Sequence, residues 1–313
     1  MRVTLVVSAA FLLGTFFCAT PRAVAQNPDT LMPDESAAKA KQVLQQLIDA
    51  LGGKAYLQVR ESDCTGRLSQ FSSNSTSADA QFEYGYLGFH DLWKYPDRNR
   101  TEYELKGNRA ANFLIWQEYP NKRGKIIDVF AGDKGWLMGR DGVREETASA
   151  IAQFQEQVKT DFDNLLRFRL KEDGLVFRYG GTDLVDLKMV DWAEMVDRND
   201  VTYRVAVDQE THLPRRVFVI KRNETTRERT EEDNIFADFR VVDGVNMPME
   251  ITHEVDGRRS FEVFYSACKL NAGIPDELFT KASLEQEYAK NGKRNKNDKN
   301  DKNEKNEQSA LEK

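Results

Sequence analysis

Alternation of apolar and polar residues with period two dominates the chain. Phe82, Tyr84 and Tyr86 share one face of a predicted strand, with Gln81 and Glu83 opposite. Val201, Tyr203, Val205 and Val207 alternate with Thr202, Arg204 and Ala206, and Phe261, Val263, Tyr265 and Ala267 alternate with Glu262 and Ser266. Successive side chains of a strand point to opposite faces, so each run predicts a strand with one covered face and one wet face. Turn chemistry separates the runs: Ala131-Gly132-Asp133-Lys134-Gly135, Asp208 to Pro214, Val242-Asp243-Gly244 and Asp256-Gly257. Short strands joined this way predict an antiparallel meander in a mainly β, α+β protein.

Two segments carry a helical period instead. The first starts near Ser36, places Val43, Leu44, Leu47, Ile48 and Leu51 on one stripe, and stops at Gly52-Gly53. The second is expected from about Ala148 to Leu170, with Ile151, Phe154, Val158, Phe162, Leu165 and Leu166 as its apolar stripe and Gln155, Glu156, Lys159 and Asp163 facing away. Each helix has one face to bury, and a sheet is the available partner. A long helix inserted midway implies that the sheet curves around it, since a wide sheet closes or folds over something.

The two ends differ from this interior. Arg2 and the apolar run Val3 to Phe17, followed by Ala23-Val24-Ala25, form the pattern of a secretory signal over residues 1–25 with cleavage after Ala25. The run is shorter than the roughly 20 residues of a spanning helix. Phe17 directly before Cys18 disfavours a lipidated amino terminus there. The expected location is therefore periplasmic, soluble after cleavage. At the other end the repeats Lys-Asn-Asp and Lys-Asn-Glu predict a disordered low-complexity tail over 284–313. Its acid spacing lacks the Gly and closing Glu of an EF-hand loop. Residues 26–283 are left as a single domain, without an interior linker.

Charge and chemistry narrow the function. The formal charge is −6, and removing Arg2 and Arg22 with the signal takes it to −8. Such an acidic chain lacks the electrostatic footprint of a nucleic-acid binder. Cys64 and Cys268 remain after cleavage, and two readings stay open: one disulfide between the first and last strands, or two buried free thiols. There is no Gly-x-Ser-x-Gly elbow, Walker loop, Gly-x-Gly-x-x-Gly or His-Glu-x-x-His, and the three histidines, His90, His212 and His253, are far apart. These absences point to a protein that is not an enzyme and to no metal or cofactor, although a dispersed pair of carboxylates stays open as a hydrolase alternative.

Aromatic and aliphatic residues on strand positions are in surplus, with Trp93, Tyr95, Trp116, Trp136 and Trp192 on or beside strands. Either they form a solid core between sheet and helices, or part of the surface lines an apolar cavity. The residues expected to line such a cavity are Leu68, Phe82, Tyr84, Tyr86, Trp93, Tyr95 and Trp136, with Phe154, Phe162, Leu165 and Leu166 from the second helix.

The same segments resemble the LolA/LolB-like family of periplasmic lipoprotein-sorting proteins. The helix ending Asp49-Ala50-Leu51-Gly52-Gly53, then Asp91-Leu92-Trp93-Lys94-Tyr95-Pro96 with Arg100, then Phe130 to Leu137, are similar to its motifs in order. So are Thr211-His212-Leu213-Pro214-Arg215, Phe239 to Val245 with Pro248, and Asn271 to Phe279. The resemblance implies a strongly curved open antiparallel sheet, an incomplete barrel, with helices covering the concave face. It also implies a non-enzymatic carrier or binding protein for lipoprotein acyl chains or another lipid, with a membrane-bound donor or acceptor as possible partner. An envelope-stress sensor or interaction module of the same fold is the alternative. The chain departs from the family where an Arg before the Pro latches the helical lid: Tyr95 stands there, with Lys94 and Arg98 nearby.

Overall fold

The computed structural model describes residues 28–71, 83–104, 125–139, 141–222 and 228–290. Among them are thirteen strands in one antiparallel sheet. The first arm comprises β1 (Glu61–Phe71), β2 (Glu83–Lys94), β3 (Arg98–Glu104), β4 (Lys125–Ala131), β5 (Lys134–Gly139) and β6 (Gly142–Glu145). The second comprises β7 (Val176–Val185), β8 (Lys188–Val196), β9 (Thr202–Asp208), β10 (Pro214–Arg222), β11 (Arg229–Val242), β12 (Val245–Val255) and β13 (Arg258–Leu270). Spatial order runs from β6 down to β1, then β13 down to β7, so the first and last strands meet in the middle and the sheet stays open.

Tight turns explain why each arm is a meander. Asp243-Gly244 and Asp256-Gly257 take positive φ at both central residues, as two-residue hairpins require. The arms are joined by the one segment that must travel between opposite edges, from β6 to β7. That segment carries helix across the concave face: α3 (Ala148–Thr160), then α4 (Phe162–Asn164), which runs into a π-helical turn, Leu165–Arg169. The single helix expected over Ala148 to Leu170 is thus broken. Asp161 is extended, at φ −60° and ψ 130°, and its carboxylate caps the next turn by accepting from Asn164 N at 2.7 Å. Beyond the break Leu165 and Leu166 are buried in the core cluster, while before it Phe154 stacks with Trp93 and Phe130.

The amino-terminal helix α1 (Pro33–Leu51) and the short α2 (Lys54–Leu57) complete this layer. Ala40, Val43, Leu44, Leu47, Ile48 and Leu51 pack with Leu165 and Leu166 onto Tyr179, Met195, Tyr203, Val205, Val217 and Val219 of β7 to β10. Over β7 to β10 the concave face is solid. A second cluster lies on the convex face, where Leu92, Ile127, Val129 and Met138 are covered by Ile274, Phe279 and Leu284. Residues 281–290 are helical and Leu284 is fully buried. The domain boundary expected at 283 therefore falls too early, because Leu284 supplies an apolar anchor that the charged repeats after it lack. Residues 1–25 and the repeats beyond 290 lie outside the described residues.

Cys64 and Cys268 are direct partners in the β1–β13 register, 4.1 Å apart at Cα, and are disulfide-bonded. A register shift beside Thr65 and Gly66 lets both point to one face. It also moves Ala267, expected to share a face with Val263 and Tyr265, to the outer side opposite Thr65.

Candidate functional site

The concave face has two halves. On β7 to β10 the inward positions are buried under α1. On the strands around the β1–β13 seam one register row stays apolar across five strands: Leu87, Leu68, Val263, Ile251 and Phe236, from β2, β1, β13, β12 and β11. Four strand spacings of about 4.8 Å make this row about 19 Å long. Leu87 is buried, whereas Leu68, Val263, Ile251 and Phe236 are partly exposed. The Phe162 ring of α4 touches one end, 6.5 Å from that of Phe236. One row along, Gly66 sits where a Cβ would fall 2.8 Å from the Phe89 ring, so that ring fills the space and meets Tyr265 edge-on.

Nearer β5 the same face carries an aromatic stack. Phe154 of α3 lies between Phe130, at 4.7 Å, and Trp93, at 5.9 Å, and Trp93 continues to Tyr95. Phe154 and Thr160 are the buried residues of α3, against seven in α1. A helix held by so little apolar area is weakly fastened.

The expected lining residues divide. All five of Leu68, Trp93, Tyr95, Phe154 and Phe162 lie on the concave side, Trp93, Tyr95 and Phe154 in the aromatic stack, Leu68 and Phe162 along the apolar row. Leu165 and Leu166 belong to the solid cluster, at 0% and 2% exposure, so they support the wall without lining a hollow. Trp136 is a correction: it pairs with Val129 and packs in the convex cluster, on the far side of the sheet. Trp192 is also convex, 5.8 Å from Phe218. Tyr84 and Tyr86 lie on β2, whose backbone alone is described there, and Phe82 and Trp116 lie outside the described residues.

Sequence reasoning missed Arg167. Its guanidinium lies between the rings of Tyr56 and Tyr95, 4.6 and 4.7 Å from their centroids. Nη2 donates to Asp163 Oδ2 at 3.2 Å, and Tyr56 donates to Asp163 Oδ1 at 2.6 Å. Asn164 Nδ2 donates to Pro96 O at 3.1 Å. The helical segment is thus fastened to the β2–β3 turn by its own arginine, with tyrosine receiving it on the sheet. Lys94 and Arg98 serve elsewhere: Lys94 donates to Ile274 O at 2.9 Å and pairs with Glu61 and Asp276, and Arg98 pairs with Asp276 at 3.2 Å. The only sequence signal for Arg167 is its spacing, four residues after Asp163 on the face expected to point away from the sheet.

Electrostatics follow burial. Burial pushes the Tyr95 hydroxyl up to about 12, Arg167 opposing it. Burial and the adjacent Asp163 carboxylate push Asp161 up to about 7. Burial also raises Asp91, although its Oδ1 accepts from Thr101 at 2.7 Å and Asn99 at 2.8 Å. Those donors come from the neighbouring strand and hold Asp91 as part of the wall. A cleft of about 40 Å³ opens beside Arg167, lined by Leu51, Tyr56, Ser62, Tyr95, Asn246 and Leu270 among others. It has room for a few water molecules, not for a chain. Among the described residues no group of three or more His, Cys, Asp or Glu is placed to hold a metal ion, and no helix is long and apolar enough to cross a membrane.

No protein-family model and no curated protein matches the chain. Solved structures do. An outer-membrane lipoprotein-sorting protein domain from Vibrio parahaemolyticus is 12% identical, with a TM-score of 0.46, covering 79% of this chain and 99% of that one. A DUF1329 family protein from Desulfovibrio piger is 12% identical, with a TM-score of 0.47, covering 80% and 99%. A LolA superfamily protein from Nitrosomonas europaea is 13% identical, with a TM-score of 0.45, covering 78% and 99%. The structures this chain is similar to thus include lipoprotein-sorting and LolA superfamily proteins, and the likeness is distant.

Proposed function

We propose that the protein is a periplasmic binding protein or carrier for an acyl chain or similar apolar ligand, and that it works without catalysing a reaction. The observation that carries this reading is the partly exposed row Leu68, Val263, Ile251 and Phe236 on the concave face. On β7 to β10 the concave positions Tyr179, Met195, Tyr203, Val205, Val217 and Val219 are instead buried beneath α1. A row of apolar side chains left partly wet inside a curved sheet is costly unless something covers it. Each methylene that a ligand buries there contributes about 0.8 kcal/mol. The closed form has no room for that chain beside Arg167, so entry requires α3 to lift. The weak fastening of α3 through Phe154 supports such movement.

The test is mass spectrometry of the full-length protein purified from envelope fractions, under native conditions and after solvent extraction. The reading expects stoichiometric co-purifying lipid or acylated protein, lost in Val263→Asp. Protein that is free of lipid and takes up none from mixed envelope lipids would contradict it.

A further inference from the structure

Within that binding reading, on which this inference rests, the cleft beside Arg167 is short of acceptors. The Arg167 side chain retains 4% of its exposure. Its Nη2 is engaged by Asp163 and the Tyr95 side chain lies against the guanidinium, but Nε and Nη1 make no well-aligned hydrogen bond among the described residues. Both oxygens of Asp163 are already taken, by Arg167 and Tyr56. Around the cleft stand further donors. The hydroxyls of Ser62 and Tyr95 lie 3.3 Å apart, so one proton between them is left to donate outward. Asn246 Nδ2 gives one hydrogen to Ala50 O at 2.6 Å and keeps a second.

The charge of Arg167 is balanced by Asp163, so the site calls for an uncharged acceptor oxygen in preference to a second anion. About 40 Å³ suits such a group and excludes a sugar or a chain. We propose that the cleft receives the carbonyl oxygen of an acyl ester or amide, with Arg167 donating to it, while the chain runs along the sheet. Seven residues of β13 separate Leu270 at the cleft from Val263 in the apolar row, about 24 Å at 3.4 Å per residue, which matches a long chain.

The experiment is displacement of the fluorescent probe N-phenyl-1-naphthylamine from the full-length protein at pH 8 by methyl oleate, oleate or 1-octadecene. Methyl oleate is expected to displace the probe at roughly tenfold lower concentration than 1-octadecene, the ratio for one hydrogen bond to a charged donor. Oleate falls between them, because its charge lies beside Asp163. In Arg167→Met the ratio falls to about one. If that variant does not fold, the paired change D163N/R167M removes both charges together and is expected to give the same ratio. Equal displacement by all three compounds from the wild type, or an ester advantage that survives in these variants, would overturn the carbonyl site and leave bound water only. Failure of every compound to displace the probe would remove the binding reading along with it.

Discussion

At the scale of single residues the chemistry concentrates where the helical segment meets the sheet. Asp161 caps α4, and burial with the nearby Asp163 holds its carboxyl up at about 7. An acid whose folded pKa lies above its unfolded value near 4 binds more protons folded than unfolded. Its contribution to stability is complete below about pH 4 and is lost as pH rises through about 7. Asp161→Asn keeps a good capping side chain and removes this titration. It is expected to raise the chemical-denaturation midpoint at pH 8 and to leave it little changed at pH 4. A wild-type and variant difference that does not depend on pH would contradict the assignment. Leu68, Trp93 and Tyr95, expected from their strand positions, and Phe154, expected from the helical stripe, lie on the concave side. Neither pattern could identify Arg167, because burial of a cation between two tyrosines depends on a tertiary approach from more than 70 residues away. Trp136 was misplaced for a related reason: its strand has two covered faces, and alternation alone does not say which one is concave.

At the scale of elements, the two helices over the concave face differ in attachment. Both have a visible helical stripe, yet α1 buries seven residues and α3 two. Stripe strength in the sequence does not report how much of it finds a partner. Hydrogen exchange should therefore show the amides of Ala148–Thr160 opening well before those of Pro33–Leu51. Phe154→Ala is expected to bring α3 exchange near the unprotected rate while the global melting temperature changes little. Leu47→Ala, in the solid cluster, is expected to cost about 2–5 kcal/mol globally. Equal protection of the two helices would contradict a movable α3. The break at Asp161 and the register shift that turns Ala267 outward were not legible in advance. Both arise from how neighbouring elements meet, since period-two and helical patterns continue through them unchanged.

At the scale of the whole molecule, the open meander was legible because its turns carry their own chemistry and its strands alternate. The meeting of first and last strands was not, although the cysteines hinted at it. The disulfide joins residues separated by 204 positions across that seam. Replacing both cysteines by Ser is expected to lower unfolding stability by roughly 2–5 kcal/mol, measured by denaturant titration, and an unchanged midpoint would show that the seam holds without it. The division of the concave face into a solid half and a partly wet half is the feature from which the functional reading grows. Titration of the full-length protein with N-phenyl-1-naphthylamine addresses it directly, comparing the wild type with Val263→Asp and with Val241→Asp at an exposed hairpin end. Saturable binding to one class of sites in the wild type and Val241→Asp, lost in Val263→Asp, is the predicted result. Absence of saturable binding, or binding that Val263→Asp leaves intact, would contradict it.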